Sequence, residues 1–280
     1  MADSMSSHDE RQHVVTLFNL VASGYDNAAL RYFPFAADRL ITQMQPAPGT
    51  KILDVATGTG VVALAAAQAI GEGGRVAAID LAESMLERLQ EKIDKFGIRN
   101  IDLHVMDASS LDFRRDYFDH VICSFGLFFL PDMLAALKGW ARVLKPGGRI
   151  LFTSFGKESF QPMADMFMKQ LAAYSALASD QHPPIAAQRL AEVEQCRRLL
   201  VEADLGNIKV QTEQLGYHLK DETVWWDIVW NSGFRGLAEK IPEEQRDAFK
   251  TEHLAEVRRL VTDKGLWLNV EVIFSAGTKT

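Results

Sequence analysis

The segment KILDVATGTGVVALAAAQAI, residues 51–70, decides the fold. Ile52-Leu53-Asp54-Val55-Ala56 is a short apolar run interrupted by one acid, as expected of a strand buried on both faces of a parallel sheet. Gly58-Thr59-Gly60 follows, a turn with little side-chain bulk in which the backbone can bend sharply. Val61 to Ile70 is alanine-rich and helical in pattern. Strand, glycine turn and helix in this order open a parallel α/β unit.

The alternation continues outward. Arg75 to Leu81 reads as a second strand. Glu83 to Phe96 is an amphipathic helix with Met85, Leu86, Leu89, Ile93 and Phe96 on one face, stopped by Gly97. Ile101 to Ala108 alternates apolar and polar residues, which suits an edge strand. Phe118 to Phe125 is a fourth strand, Pro131-Asp132 opens a helix running to about Val143, and Arg149 to Phe155 is a fifth strand after the turn Lys145-Pro146-Gly147-Gly148. Upstream, Arg11 to Gln45 is helical and ends at Pro46, Pro48 and Gly49. Downstream, Gln161 to Ser179 and Ala186 to Ala203 are helical, separated by His182-Pro183-Pro184. Ile208 to Leu219 alternates as a strand. Glu222 to Lys240 and Pro242 to Lys264 are helical, and Trp267 to Phe274 is a last strand. These patterns predict one domain over residues 1–280: a disordered tail (1–10), a helical preface (11–48), a cofactor-binding core (49–155) and helical cap segments (156–205 and 220–264).

Composition narrows the function. The chain has 280 residues, 48% hydrophobic and 24% charged, enough for a large core. Its formal net charge is −7 and it contains no basic run, which opposes a nucleic-acid substrate. The two cysteines, Cys123 and Cys196, offer neither a disulfide framework nor metal-ligand spacing. Met1 to Glu10 is polar and acidic, unlike a signal peptide, and no apolar stretch is long enough to span a bilayer. A cytoplasmic protein without metal, nucleic-acid partner or membrane span is expected, and the sequence is compatible with a homodimer.

Gly58-Thr59-Gly60 also fits the dinucleotide fingerprint, so charge must separate the two readings. A pyrophosphate over the turn would be repelled by Asp54, four residues before Gly58. S-adenosylmethionine (SAM) presents an ammonium and a sulfonium there instead, and a carboxylate favours both. Asp80, ending the second strand, can take two ribose hydroxyls with its two oxygens. Asp107, ending the third, can accept from the adenine amine. Acids at three successive strand ends obey the rule that open α/β sheets bind ligands there. An NAD-dependent oxidoreductase and a non-catalytic protein retaining the SAM fold are the alternatives.

The segments ILDVATGTG (52–60), AIDLAESML (78–86), Asp107-Ala108, Phe118-Asp119 with Ser124-Phe125-Gly126-Leu127, and VLKPGGR (143–149) make the chain similar to class I SAM-dependent methyltransferases. Within them it resembles the ubiquinone/menaquinone-biosynthesis C-methyltransferase family over roughly residues 20 to 155. The resemblance implies a Rossmann-like α/β fold with a seven-stranded, mainly parallel sheet in order 3-2-1-4-5-7-6, the last strand antiparallel. It implies SAM contacts from Gly58, Thr59, Gly60, Asp80, Leu81, Met85, Asp107, Ala108 and Ser124, with Tyr25 folding over the cofactor. The sequence departs from the family where Phe128-Phe129 stand in place of Arg-Asn after Leu127.

The methyl acceptor is accordingly expected to be a small, largely apolar molecule, methylated at carbon or oxygen. Phe125, Phe128, Phe129 and Phe155 at strand ends are the pocket candidates. Trp226 and Trp230 join them with Phe234, being spaced to share one helical face of the cap. His182, His218 and His253 could act as bases by residue type, but no motif nominates them, and His8, His13 and His104 lie in the tail region or on the edge strand. No general base is assigned.

Overall fold

The structure, a computed structural model, describes residues 7–174 and 186–280. The strands are β1 (Lys51–Val55), β2 (Arg75–Asp80), β3 (Ile101–Val105), β4 (Phe118–Ser124), β5 (Leu144–Phe155), β6 (Leu205–Gln214), β7 (Tyr217–Leu219), β8 (Leu266–Leu268) and β9 (Glu271–Lys279). Seven of them form one sheet, ordered β3-β2-β1-β4-β5-β9-β6. The first five are parallel, and β9 runs antiparallel to both β5 and β6. Counting β9 as the seventh strand of that sheet, this is the expected order. Ile52, Leu53, Val121 and Ile122 in the central strands are fully buried, whereas Val105 on edge strand β3 is 55% exposed. That contrast is the physical origin of the apolar run in β1 and the alternation in β3.

The helices are α1 (Ser7–Val21), α2 (Tyr32–Met44), α3 (Val61–Ile70), α4 (Glu83–Phe96), α5 (Met133–Val143), α6 (Met163–Tyr174), α7 (Val193–Glu202), α8 (Glu222–Asn231), α9 (Arg235–Ala238) and α10 (Glu243–Val257). Among the described residues, no helix is long and apolar enough to cross a membrane. In α3, buried Ala63, Ala66 and Ala67 let neighbouring elements approach closely. Cys123 and Cys196 are buried free thiols.

Several local expectations are corrected. α1 begins at Ser7, inside the stretch expected to be a tail; Leu17, Phe18 and Val21 anchor it by packing with Met85 of α4 and with Tyr25. Strand β5 begins at Leu144, and its pairing with β4 shifts from Phe118↔Leu144 to His120↔Arg149, so the Lys-Pro-Gly-Gly turn is a bulge within the strand. The run 208–219 is two strands, and so is 267–274. β6 pairs with β9 in the main sheet while β7 pairs with β8 in a separate two-stranded sheet. The chain switches at Gly216, where a Cβ would lie 2.4 Å from the Leu268 carbonyl oxygen. Helix α7 was expected in the cap but packs on β6 and β9, with Cys196 and Leu200 fully buried. The breaker His182-Pro183-Pro184 lies outside the described residues.

The cap comprises α6, α8, α9 and α10. Its core gathers Phe167, Trp225, Phe234, Phe249 and His253. The expected face of Trp226, Trp230 and Phe234 does not exist, because α8 ends at Asn231. Trp226 and Trp230 stack on each other at 6.2 Å, Trp226 against Phe249 of α10, while Phe234 turns to Trp225 and Phe160.

Candidate active site

The site forms at the C-terminal edge of β1, β2, β3 and β4. Gly58 and Gly60 both adopt positive φ, 55° and 85°. They serve different ends. A Cβ on Gly60 would lie 2.2 Å from Leu89 Cδ1, so this glycine lets α4 pack against the turn. A Cβ on Gly58 would meet only the Tyr25 ring, at 3.7 Å, so this glycine keeps the backbone bare toward the cleft. Asp80 braces the turn: its Oδ2 accepts from the Gly58 amide at 2.8 Å and its Oδ1 from the Ala82 amide at 2.9 Å. Each oxygen retains capacity for a second hydrogen bond. Burial raises the Asp80 carboxyl above its ordinary value, opposed by the amides of Ala82 and Gly58.

Asp54 is 1% exposed and accepts from Thr57 Oγ1 at 2.6 Å. Burial pushes its carboxyl up to about 7, against the lowering effect of the Thr57 bond. A phosphate above this turn would aggravate the desolvated charge, whereas a cation would relieve it. The residues present therefore suit SAM and not a dinucleotide.

Two adjoining clefts share the walls Tyr25, Ala56, Gly58 and Ser124. Asp80, Leu81, Met85, Asp107 and Ala108, all expected at the site, line the first. Trp140 of α5 donates from Nε1 to the Ala108 carbonyl at 2.8 Å and so fixes this segment. Asp107 is more engaged than expected: its Oδ1 accepts from the amide and hydroxyl of Ser109, and its Oδ2 pairs with Arg11 at 2.7 Å. Arg11, Val14 and Phe18 of α1 complete this wall.

Tyr25 lies at the junction of the two clefts. Its ring stacks on Phe33 at 5.0 Å and meets Phe18 edge-on at 6.1 Å. Burial, then the carboxylates of Asp80 and Asp26, raise its phenol well above the ordinary value, so it stays protonated. The neighbouring Asp26 accepts from Thr59 Oγ1 at 2.7 Å.

Behind Ser124, Phe125 holds a left-handed backbone, φ 56°, unusual for an aromatic residue and maintained by a hydrogen bond from its amide to Thr153 Oγ1 at 3.1 Å. Its ring stacks on Phe155 at 4.2 Å and 18°, and Tyr32 and Phe160 meet Phe155 edge-on. Phe129 lines the first cleft and touches Phe18 at 5.1 Å. The other pocket candidates lie elsewhere. Phe155, stacked on Phe125, and Phe128, 2% exposed, form no wall of either cleft, and in the cap Trp226 packs against Phe249 of α10 with Trp230 stacked on it. Arg189 holds the loop after β4 by donating to the carbonyls of Phe128, Leu130 and Pro131.

No described histidine lines either cleft. His253 accepts from Trp225 Nε1 inside the cap, where burial lowers its imidazole to about 4. His218 lies against Trp267 on β7, His104 against Phe113, and His182 is outside the described residues. Sequence reasoning missed Arg11, Asp26, Arg31, Lys92 and Arg189. Asp26 adjoins Tyr25 and could have been drawn in with it. The others read as ordinary charges on helical or loop segments, and nothing local distinguishes them.

The profile of the ubiE/COQ5 methyltransferase family matches residues 5–192. The chain is 36% identical to aklanonic acid methyltransferase DauC of Streptomyces sp. (strain C5) over 150 residues, covering 54% of this chain and 68% of that protein. It is 31% identical to demethylmenaquinone methyltransferase of Staphylococcus aureus (strain MRSA252) over 247 residues, covering 80% of this chain and 99% of the relative. Among solved structures, the [4+2]-cyclase SpnF superposes with a TM-score of 0.59 at 18% identity, over 98% of this chain and 97% of that one. Phosphoethanolamine N-methyltransferase 2 of Haemonchus contortus, in complex with S-adenosyl-L-methionine, superposes with a TM-score of 0.54 at 19% identity, over 88% of this chain and 52% of that one. These two likenesses concern the fold.

Proposed function

We propose, on the premise that the chain belongs to the ubiE/COQ5 methyltransferase family and is a SAM-dependent methyltransferase, that it methylates a carbon or oxygen of a small, largely apolar ring compound of quinone or polyketide type. The observation that carries this reading is the aromatic wall that Phe125 and Phe129 give the first cleft, beside Ser124 and the Tyr25 junction, with the Phe125 ring backed by Phe155 at 4.2 Å. Flat aromatic walls favour a flat, apolar guest.

When bound, SAM supplies a methyl carbon on a sulfonium, so transfer to a nucleophilic carbon or oxygen releases a neutral thioether. The protein's part is positioning and exclusion of water. Asp80 has spare acceptor capacity for ribose hydroxyls, Asp54 offers negative charge beneath the turn, and Asp107 with Ala108 bounds the base. Tyr25, protonated and packed between Phe33 and Phe18, screens the junction from solvent. The net charge of −7 favours a small acceptor over a polyanion.

The test is an acceptor screen with methyl-labelled SAM across hydroquinones, phenols, polyketide acids, tRNA, DNA and protein. Turnover of a ring compound is expected. Turnover confined to a macromolecule would overturn the proposal.

A further inference from the structure

The second cleft is lined by Asp54, Thr57 and Thr59 of the glycine turn, by Val61 and Val62 of α3, and by Arg31. On the reading of the first cleft as the nucleoside end, this one receives the amino-acid end of the cofactor. That end carries three charges: sulfonium, ammonium and carboxylate. Asp54 suits the cations. The carboxylate needs a positive partner, and it would otherwise face Asp54 and Asp26 across the same cleft.

Arg31 is the cationic side chain on this wall among the described residues. The other nearby cations are committed: Lys92 to Asp26 and the Thr59 carbonyl, Arg11 to Asp107. Arg31 has no carboxylate partner among the described residues. Its guanidinium rests over the Tyr217 ring at 4.3 Å and donates a long 3.3 Å hydrogen bond to the His218 carbonyl. It is exposed and sits just before α2, so it can turn into the cleft without unpacking a core. A guanidinium matches a carboxylate through paired N–H donors. The start of α3 presents its positive dipole end to the same space.

We infer that Arg31 binds the carboxylate of the methionine moiety of SAM and selects cofactors that carry it. This rests on the SAM reading above, and the experiment separates the two. Calorimetry compares SAM with decarboxylated SAM, which lacks only that carboxylate, on the wild-type protein and on Arg31→Met and Arg31→Lys. The wild type should prefer SAM at least tenfold. Arg31→Met should lose tenfold or more in SAM affinity and bind decarboxylated SAM within about twofold of the wild type, so the preference collapses. Arg31→Lys should restore part of it. Equal weakening toward both ligands would overturn the inference and leave Arg31 a support for Tyr217 and His218. An unchanged preference in Arg31→Met would overturn it as well. Failure of the wild type to bind SAM would instead defeat the cofactor reading itself.

Discussion

The Lys92 ammonium lies 2.6 Å from Asp26 Oδ2 and 2.8 Å from the Thr59 carbonyl oxygen, so one side chain of α4 ties the loop carrying Tyr25 to the glycine turn. Thr59 closes the link by donating its hydroxyl to Asp26. The cover and the floor of the cleft are thereby joined through a partly exposed ion pair.

Loss of this link should show in cofactor kinetics more than in stability. A partly exposed pair contributes on the order of 1 kcal/mol or less. Lys92→Ala should therefore lower the melting temperature only slightly, while the release rate of S-adenosylhomocysteine rises severalfold because Tyr25 is less firmly held. Asp26→Asn should do the same, and the double variant should add little to either. Stopped-flow release that is unchanged in both single variants would separate the ion pair from the cleft.

At the proposed cofactor site, Asp54 should make SAM binding pH-dependent. Its carboxyl titrates near 7 in the folded protein, against an ordinary 3.8. An acid raised in this way favours the folded state at low pH, and that contribution is lost as pH climbs from about 4 to about 7. A cation bound beside it reverses the preference by stabilising the carboxylate. SAM affinity should then rise with pH between about 5.5 and 7.5, with proton release on binding. Calorimetry in buffers of different ionisation enthalpy measures both, and Asp54→Asn should flatten the slope.

Asp80 braces the turn and is proposed to serve the cofactor as well. Asp80→Ala removes acceptors for the Gly58 and Ala82 amides as well as those available to the ribose. SAM affinity should fall by about 2–4 kcal/mol. Thermal melting should also drop without SAM, because the loop loses its brace. An affinity change under about threefold would refute the ribose role.

Phe155 and Phe128 should behave differently although both are aromatic and close in space. Phe155 is partly exposed and stacks on the Phe125 ring that lines the first cleft, so Phe155→Ala should loosen that wall and raise the acceptor KM roughly tenfold, a loss of about 1–3 kcal/mol, leaving SAM affinity nearly unchanged. Phe128 is buried, and Phe128→Ala should cost about 3–5 kcal/mol of stability. Its effect on acceptor KM should be the smaller. Denaturant unfolding beside steady-state kinetics tells the two apart.

The sequence by itself determined the parallel sheet and the acid-glycine-acid cradle, since these rest on local signals: the apolar run of β1, the glycines before α3, and acids at successive strand ends; the strand order followed only from the family resemblance. Tertiary structure decided everything that covers the cradle. Arg11 reaches Asp107, Lys92 reaches Asp26, and Arg189 reaches the loop after β4 from across 61 positions of chain. Each reads in sequence as a generic solvated charge, and its partner is chosen only when packing closes the intervening chain. The same limit explains the strand switch at Gly216, where alternation marks a strand but not its neighbour, and the tryptophans of α8. Helical spacing placed Trp226, Trp230 and Phe234 together, but the helix ends at Asn231, and Trp226 instead packs against Phe249 of α10 with Trp230 stacked on it.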